Sequence, residues 1–94
     1  MTESIIQKDK MCVVCGRTED LERHHVMFGN PRRRLAEEDG LVVWLCAKHH
    51  RGADGVHGIR GHLLDIYLKT LAQSVYEKTH TRDEWMARYR RNYL

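Results

Sequence analysis

No stretch of this chain approaches the roughly 18 apolar residues needed to cross a bilayer as a helix. The segment from Met1 to Lys10 carries charges and two isoleucines but no apolar signal core. A membrane protein and an exported one are therefore not expected, and the predicted compartment is the cytoplasm. There is no internal repeat and no low-complexity segment. Nor is any cysteine left over to need a disulfide partner. All three fall into short ligand-like pairs, Cys12-x-x-Cys15 and Cys46-x-x-His49.

Those pairs are the strongest signal present. A C-x-x-C turn delivers two thiolates from one tight loop, and zinc takes four soft or borderline ligands in a tetrahedron. The second pair repeats the spacing with an imidazole in the fourth place, so Cys12, Cys15, Cys46 and His49 form a candidate structural zinc site. With 94 residues the chain makes one small domain that buries a modest share of its surface. A metal would supply stability that such a core lacks, because zinc binding and folding become one equilibrium.

The net charge is only +3, but seven histidines and sixteen Lys/Arg are unevenly placed. Arg32, Arg33 and Arg34 run together between the two pairs, directly before Glu37, Glu38 and Asp39. Arg82, Arg88, Arg90 and Arg91 crowd the C-terminus. Either cluster alone reads equally as a solvated face; beside a metal site, arginines become candidate phosphate contacts.

Residues 1–10 read as a tail or short lead-in strand, and Met11–Gly16 as the first knuckle, with Gly16 easing the turn. Leu21–Phe28 is expected to be a strand. A basic-then-acidic connection follows, with one helical turn over Arg33–Glu38. The apolar run Leu41–Leu45 is a second strand feeding into Cys46, and a short helix should open the second knuckle. Gly52, Gly55, Gly58 and Gly61 recur every third residue, which predicts a mobile or sharply folded loop. Leu64, Tyr67, Leu68, Leu71, Ala72, Val75 and Tyr76 step by three and four, giving an amphipathic helix over 62–79. Thr81 to Glu84 is a capping box that starts a last helix through Trp85 and Tyr89. These stripes are read as core packing.

Four histidines follow an informative order: His24 and His25 on the first strand, His50 beside the ligand His49, and His57 in the glycine loop. Neighbours on a strand face opposite sides, so only one of His24 and His25 aims squarely at a given centre unless the strand twists or ends.

At these residues the chain resembles the HNH (ββα-metal, treble-clef) endonucleases. The likeness rests on the Cys12/Cys15 knuckle, on His24-His25 within LERHHV, and on LVVWLCAKHH ending in His49-His50. It is closest to small phage-type members, with Gly55-Val56-His57 after the second knuckle and Asn92-Tyr93-Leu94 at the tail. The resemblance implies an α+β fold: a zinc-stapled ββα core over 11–61, with a helical extension over 62–94, in a single domain spanning 1–94. It implies a metal-dependent endonuclease that nicks or cuts DNA with low intrinsic sequence specificity. His24 and His50 would hold a catalytic divalent ion (Mg²⁺, Mn²⁺, Ni²⁺ or Zn²⁺), with His57 a third ligand or phosphate contact. His25 would be the general base, and Arg32, Arg33 and Arg34 would grip the DNA backbone.

The chain departs from the family pattern at the middle asparagine. Asp39-Gly40-Leu41 stands where that residue usually precedes the apolar run, and Asn30 lies earlier. The role is unfilled, taken by backbone groups, or taken by Asp39. A non-catalytic nucleic-acid or protein-binding module is the rival expectation. In it the stripe and Trp85 would face a second copy or a phage or host protein partner.

Overall fold

The computed structural model describes residues 2–94, so Met1 of the expected tail lies outside the described residues. Six elements follow one another: β1 (Leu21–His25), α1 (Arg32–Asp39), β2 (Val42–Cys46), α2 (Ala47–His50), α3 (His62–Tyr76) and α4 (Arg82–Tyr89). This is a small α+β fold with a two-stranded antiparallel sheet. The register pairs Leu21 with Cys46, Arg23 with Trp44 and His25 with Val42.

The first strand is shorter than expected. It ends at His25: Val26 N–H still reaches the Leu41 carbonyl at 3.0 Å, but Val26 and Met27 are both fully buried, so the alternation of a strand stops there. The single helical turn expected at Arg33–Glu38 is a two-turn helix. It stops at Gly40, whose φ of 72° suits a residue without a Cβ. A Cβ there would also come within 2.5 Å of the Glu3 carbonyl oxygen.

Residues 5–13 do not form a lead-in strand, but they are tied to the hairpin. Ile5 N–H donates to the Gly40 carbonyl, Trp44 N–H to the Gln7 side-chain oxygen and Val13 N–H to the Trp44 carbonyl, each at 2.9 Å. The edge of β2 is thereby covered, which blunts its tendency to pair with another chain.

Helix α3 ends at Tyr76, three residues short of the expected 79. The capping box is present as read: Thr81 Oγ1 accepts from Glu84 N–H at 3.1 Å, and the Glu84 carboxylate accepts from Thr81 N–H at 2.9 Å. Leu68, Ala72, Tyr76, Trp85 and Tyr89 join Val26, Met27, Leu41, Val43 and Leu45 in one apolar cluster. Trp85 is fully buried and its indole N–H donates to the Arg91 carbonyl at 2.8 Å, so it is core and not a partner face. Instead, Ile59, Leu63 and Tyr67 project into solvent at four-residue steps. No helix of the described residues is long and apolar enough to cross a membrane.

Candidate metal centres

The first centre unites the two knuckles. Cys12 and Cys15 reach it from the N-terminal loop, Cys46 from the last position of β2, and His49 from α2. Cys12 Sγ lies 3.8 Å from His49 Nδ1, Cys15 Sγ lies 3.8 Å from Cys46 Sγ, and Cys46 Sγ lies 3.2 Å from His49 Nδ1. A tetrahedron built on zinc–sulfur and zinc–nitrogen bonds has edges of about 3.6–3.8 Å. Two of the three separations match it. Burial opposes ionisation of Cys12, but hydrogen bonds from the backbone at Cys46, Cys15 and Val14 draw its thiol down to about 6. At Cys15 a backbone hydrogen bond from Arg17 lowers the pKa, yet desolvation and the neighbouring thiols win and raise it. Thiolates crowded this way repel unless a cation sits among them. The group is therefore suited to a metal such as zinc.

The second centre is made by the alternation of β1. Side chains two apart on a strand share a face. Glu22 and His24 turn toward α2, whereas Arg23 and His25 turn toward α1, as their hydrogen bonds show. His24 is buried at 2% exposure and meets His50 and His57, each with ring centroids 5.1 Å away; His50 and His57 lie 4.9 Å apart. One ligand atom from each of the three lies within 4.8 Å of the others. Phe28 caps the group, 5.0 Å from the His57 ring and 5.9 Å from that of His24.

Two observations bear on whether this trio suits a metal. His24 Nε2 is buried and has no hydrogen-bond partner among the described residues. An unsatisfied buried nitrogen costs free energy and ordinarily has a reason. Second, the surroundings of His24 and His57 favour the neutral imidazole, the form that ligates. Desolvation, then the charges of His50, His57, His25 and Lys69, push His24 down to about 3, and desolvation with His50 lowers His57. The residues fit a divalent ion.

His57 arrives by way of the glycine loop. Gly55, Gly58 and Gly61 N–H groups each donate to the carbonyl three residues back. The layers lie so close that a Cβ on Gly58 would be 2.0 Å from the Gly52 oxygen, and one on Gly61 would be 1.7 Å from the Gly55 oxygen. The loop is thus sharply folded, and His57 N–H donates to the His50 carbonyl at 3.0 Å.

His25 occupies the opposite face of β1 but the same end of it. Its Nε2 lies 2.9 Å from Glu37 Oε1. The Glu37 carboxylate also accepts from the Arg23 guanidinium and from Thr2 N–H. These contacts, Arg23 foremost, hold it well below the usual carboxylate range. Because β1 stops here, His24 and His25 both line one cavity of about 220 Å³, with Arg23, Phe28, Arg33, His50 and His57.

The arginine run divides on the helix. Arg33 lines that cavity, Arg34 pairs with Glu38 at 2.9 Å, and Arg32 is part-buried outside it. The C-terminal arginines are largely committed: Arg82 to Glu77, Arg88 to Glu38 and Asp39, and Arg91 above the Tyr93 ring. Asp39 accepts from Arg88 Nε at 2.8 Å and from Tyr89 OH at 2.6 Å, so it fastens the tail and does not attend His25. Asn30 lines the hollow beside His25 and Glu37, without a hydrogen bond to either among the described residues.

Sequence reasoning missed Glu22 and Glu37. Glu22 had a usable signal, lying two residues before His24 on a strand. Glu37 had none, since its reach depends on the length of α1. Comparison with protein families, with curated proteins and with solved structures finds no match to this chain.

Proposed function

We propose that this chain is a divalent-metal-dependent endonuclease of the ββα-metal (HNH, treble-clef) type, hydrolysing DNA phosphodiester bonds. Cys12, Cys15, Cys46 and His49 would hold a structural zinc. The observation that carries the reading is the unpartnered, buried Nε2 of His24, on a ring that meets those of His50 and His57 at the cavity that His25 and Arg33 share.

An ion held by His24, His50 and His57 would supply Lewis-acid stabilisation of charge building on the phosphate and the leaving oxygen. Three imidazoles suit zinc, nickel or similar borderline ions better than magnesium, which prefers oxygen ligands. The protein's own part is proton handling and placement. A carboxylate only accepts, so His25 would donate its Nε2–H to Glu37, and a ring acting as base would offer the lone pair of Nδ1. That nitrogen is the proposed general base for the attacking water, and Glu37 fixes its tautomer and orientation. Arg33 would meet a backbone phosphate. No helix offers an obvious base-reading face, so low sequence specificity is expected.

The test is supercoiled-plasmid nicking by zinc-loaded protein with Ni²⁺, Mn²⁺ or Mg²⁺, against EDTA and His25→Ala. Metal-dependent nicking that vanishes in the variant, with zinc content unchanged, is the expected result. DNA retention without nicking in both proteins would favour the rival binding module. The observation on its side is the exposure of Ile59, Leu63 and Tyr67, a surface fit for a protein partner or second copy.

A further inference from the structure

We infer that Glu22 is the positioning residue of the histidine trio, setting the tautomer of His50 so that Nε2 is the nitrogen offered to the metal. The inference rests on the reading of His24, His50 and His57 as a metal site and adds a member to it.

The placement follows from register. Glu22 pairs with Leu45, the residue before Cys46, and α2 begins immediately afterwards at Ala47. One helical turn on, His50 comes back over β1, on the face that Glu22 shares with His24. Glu22 Oε1 lies 2.8 Å from His50 Nδ1. Arg51 Nε lies 3.1 and 2.9 Å from the two Glu22 oxygens, holding the carboxylate in place.

The chemistry is then determined by donors and acceptors. Glu22 is ionised and can only accept, so Nδ1 of His50 must carry the proton. In the form that ligates, the lone pair is then on Nε2, the nitrogen without a protein partner among the described residues. A carboxylate behind a ligating imidazole fixes the ring and makes it a stronger donor, and losing such a partner costs roughly 10–100-fold in metal affinity. Among the described residues His50 is the one member of the trio that meets a carboxylate at hydrogen-bonding distance. A Glu22–Arg51 pair alone would be an exposed ion pair of little consequence. Its use is that Arg51 directs Glu22 at His50.

The experiment is calorimetric titration of Ni²⁺ into zinc-loaded wild type, Glu22→Ala and Glu22→Gln, with zinc content and melting temperature recorded. The tautomer of His50 is read in parallel from ¹⁵N imidazole shifts. Glu22→Ala is expected to bind Ni²⁺ roughly 10–100-fold more weakly with zinc retained. Glu22→Gln keeps an accepting oxygen and should recover most of the loss and the Nδ1–H tautomer. Equal Ni²⁺ affinity in wild type and Glu22→Ala overturns the inference. So does a loss that the glutamine variant shares and that tracks the melting temperature, which would make Glu22 merely structural. A wild type that takes up no Ni²⁺ sinks the metal site and the inference together. DNA is absent throughout, so Ni²⁺ binding that depends on Glu22 without any plasmid nicking refutes the nuclease alone.

Discussion

His25 Nε2 lies 2.9 Å from the Glu37 carboxylate, on the face of β1 turned away from His24. The neighbouring histidines therefore serve different masters, one the imidazole trio and the other a glutamate pinned by Arg23. The middle asparagine of the HNH pattern that the chain resembles is absent, and Glu37 occupies the ground behind the proposed base that neither Asn30 nor Asp39 takes.

If Glu37 orients the base, its removal should lower turnover and leave DNA binding alone. General-base catalysis contributes roughly 10²–10⁴-fold, so Glu37→Ala should forfeit at least about tenfold of kcat. Single-turnover nicking at saturating metal measures this. An unchanged rate, or a rise in KM alone, would remove Glu37 from the mechanism.

Arg33 and Arg34 offer an internal control. Arg33 lines the cavity, whereas Arg34 is already paired with Glu38. Arg33→Ala should weaken DNA retention and reduce the slope of log affinity against log salt by about one. Arg34→Ala should change either quantity much less. Filter binding over a salt series distinguishes them.

Chelation of the Cys12, Cys15, Cys46, His49 metal should melt the fold and not just silence it. Cys46 is both candidate ligand and last residue of β2, so the hairpin would lose its anchor. Circular dichroism after strong chelation, and Cys46→Ser as the genetic counterpart, should both show lost structure. Retention of the native spectrum by the metal-free protein would refute this.

The glycine loop should refuse side chains. Gly61→Ala places a methyl 1.7 Å from the Gly55 oxygen, and backbone cannot yield cheaply. A stability loss above about 1 kcal/mol is expected, along with weaker Ni²⁺ uptake as His57 is displaced. Urea denaturation and calorimetry report the two effects separately.

Acid should unfold the protein partly through His24. Its folded pKa is about 3 against an ordinary 6.5, so the unfolded chain binds the extra proton between those values. Stability falls as pH drops below 6.5 and the loss levels off near 3. Urea midpoints across this window should fall more steeply for wild type than for His24→Gln, even though zinc release contributes to both. Parallel curves would show that His24 is not held neutral.

Much of this was legible because its causes are local. A C-x-x-C spacing, a capping box at Thr81 and Glu84, and the apolar periodicity of α3 each depend on a few adjacent residues. Alternation along β1 separated His24 from His25 in advance, and the strand's end explains why both still reach one cavity. What escaped depended on distance. Glu37 meets His25 only because α1 runs a full two turns before Gly40, and nothing near either residue announces that. Asp39 was a plausible stand-in until Arg88 and Tyr89, far along the chain, claimed it. The glycine period announced a loop but not a ladder of hydrogen bonds, which is what delivers His57.

The pairing of Leu21 with Cys46 has a consequence for errors as well as for stability. A one-residue slip of β1 would turn Arg23 and His25 toward α2, and present Glu22 and His24 to Glu37. Such a molecule would keep every residue and lose both arrangements. A metal held by Cys12, Cys15, Cys46 and His49 would oppose the slip, because it would tie the segment leading into β1 to the end of β2. A metal at the knuckle would thus act as a proofreader of alignment, and misassembled copies would lack both the imidazole trio and the His25–Glu37 pair.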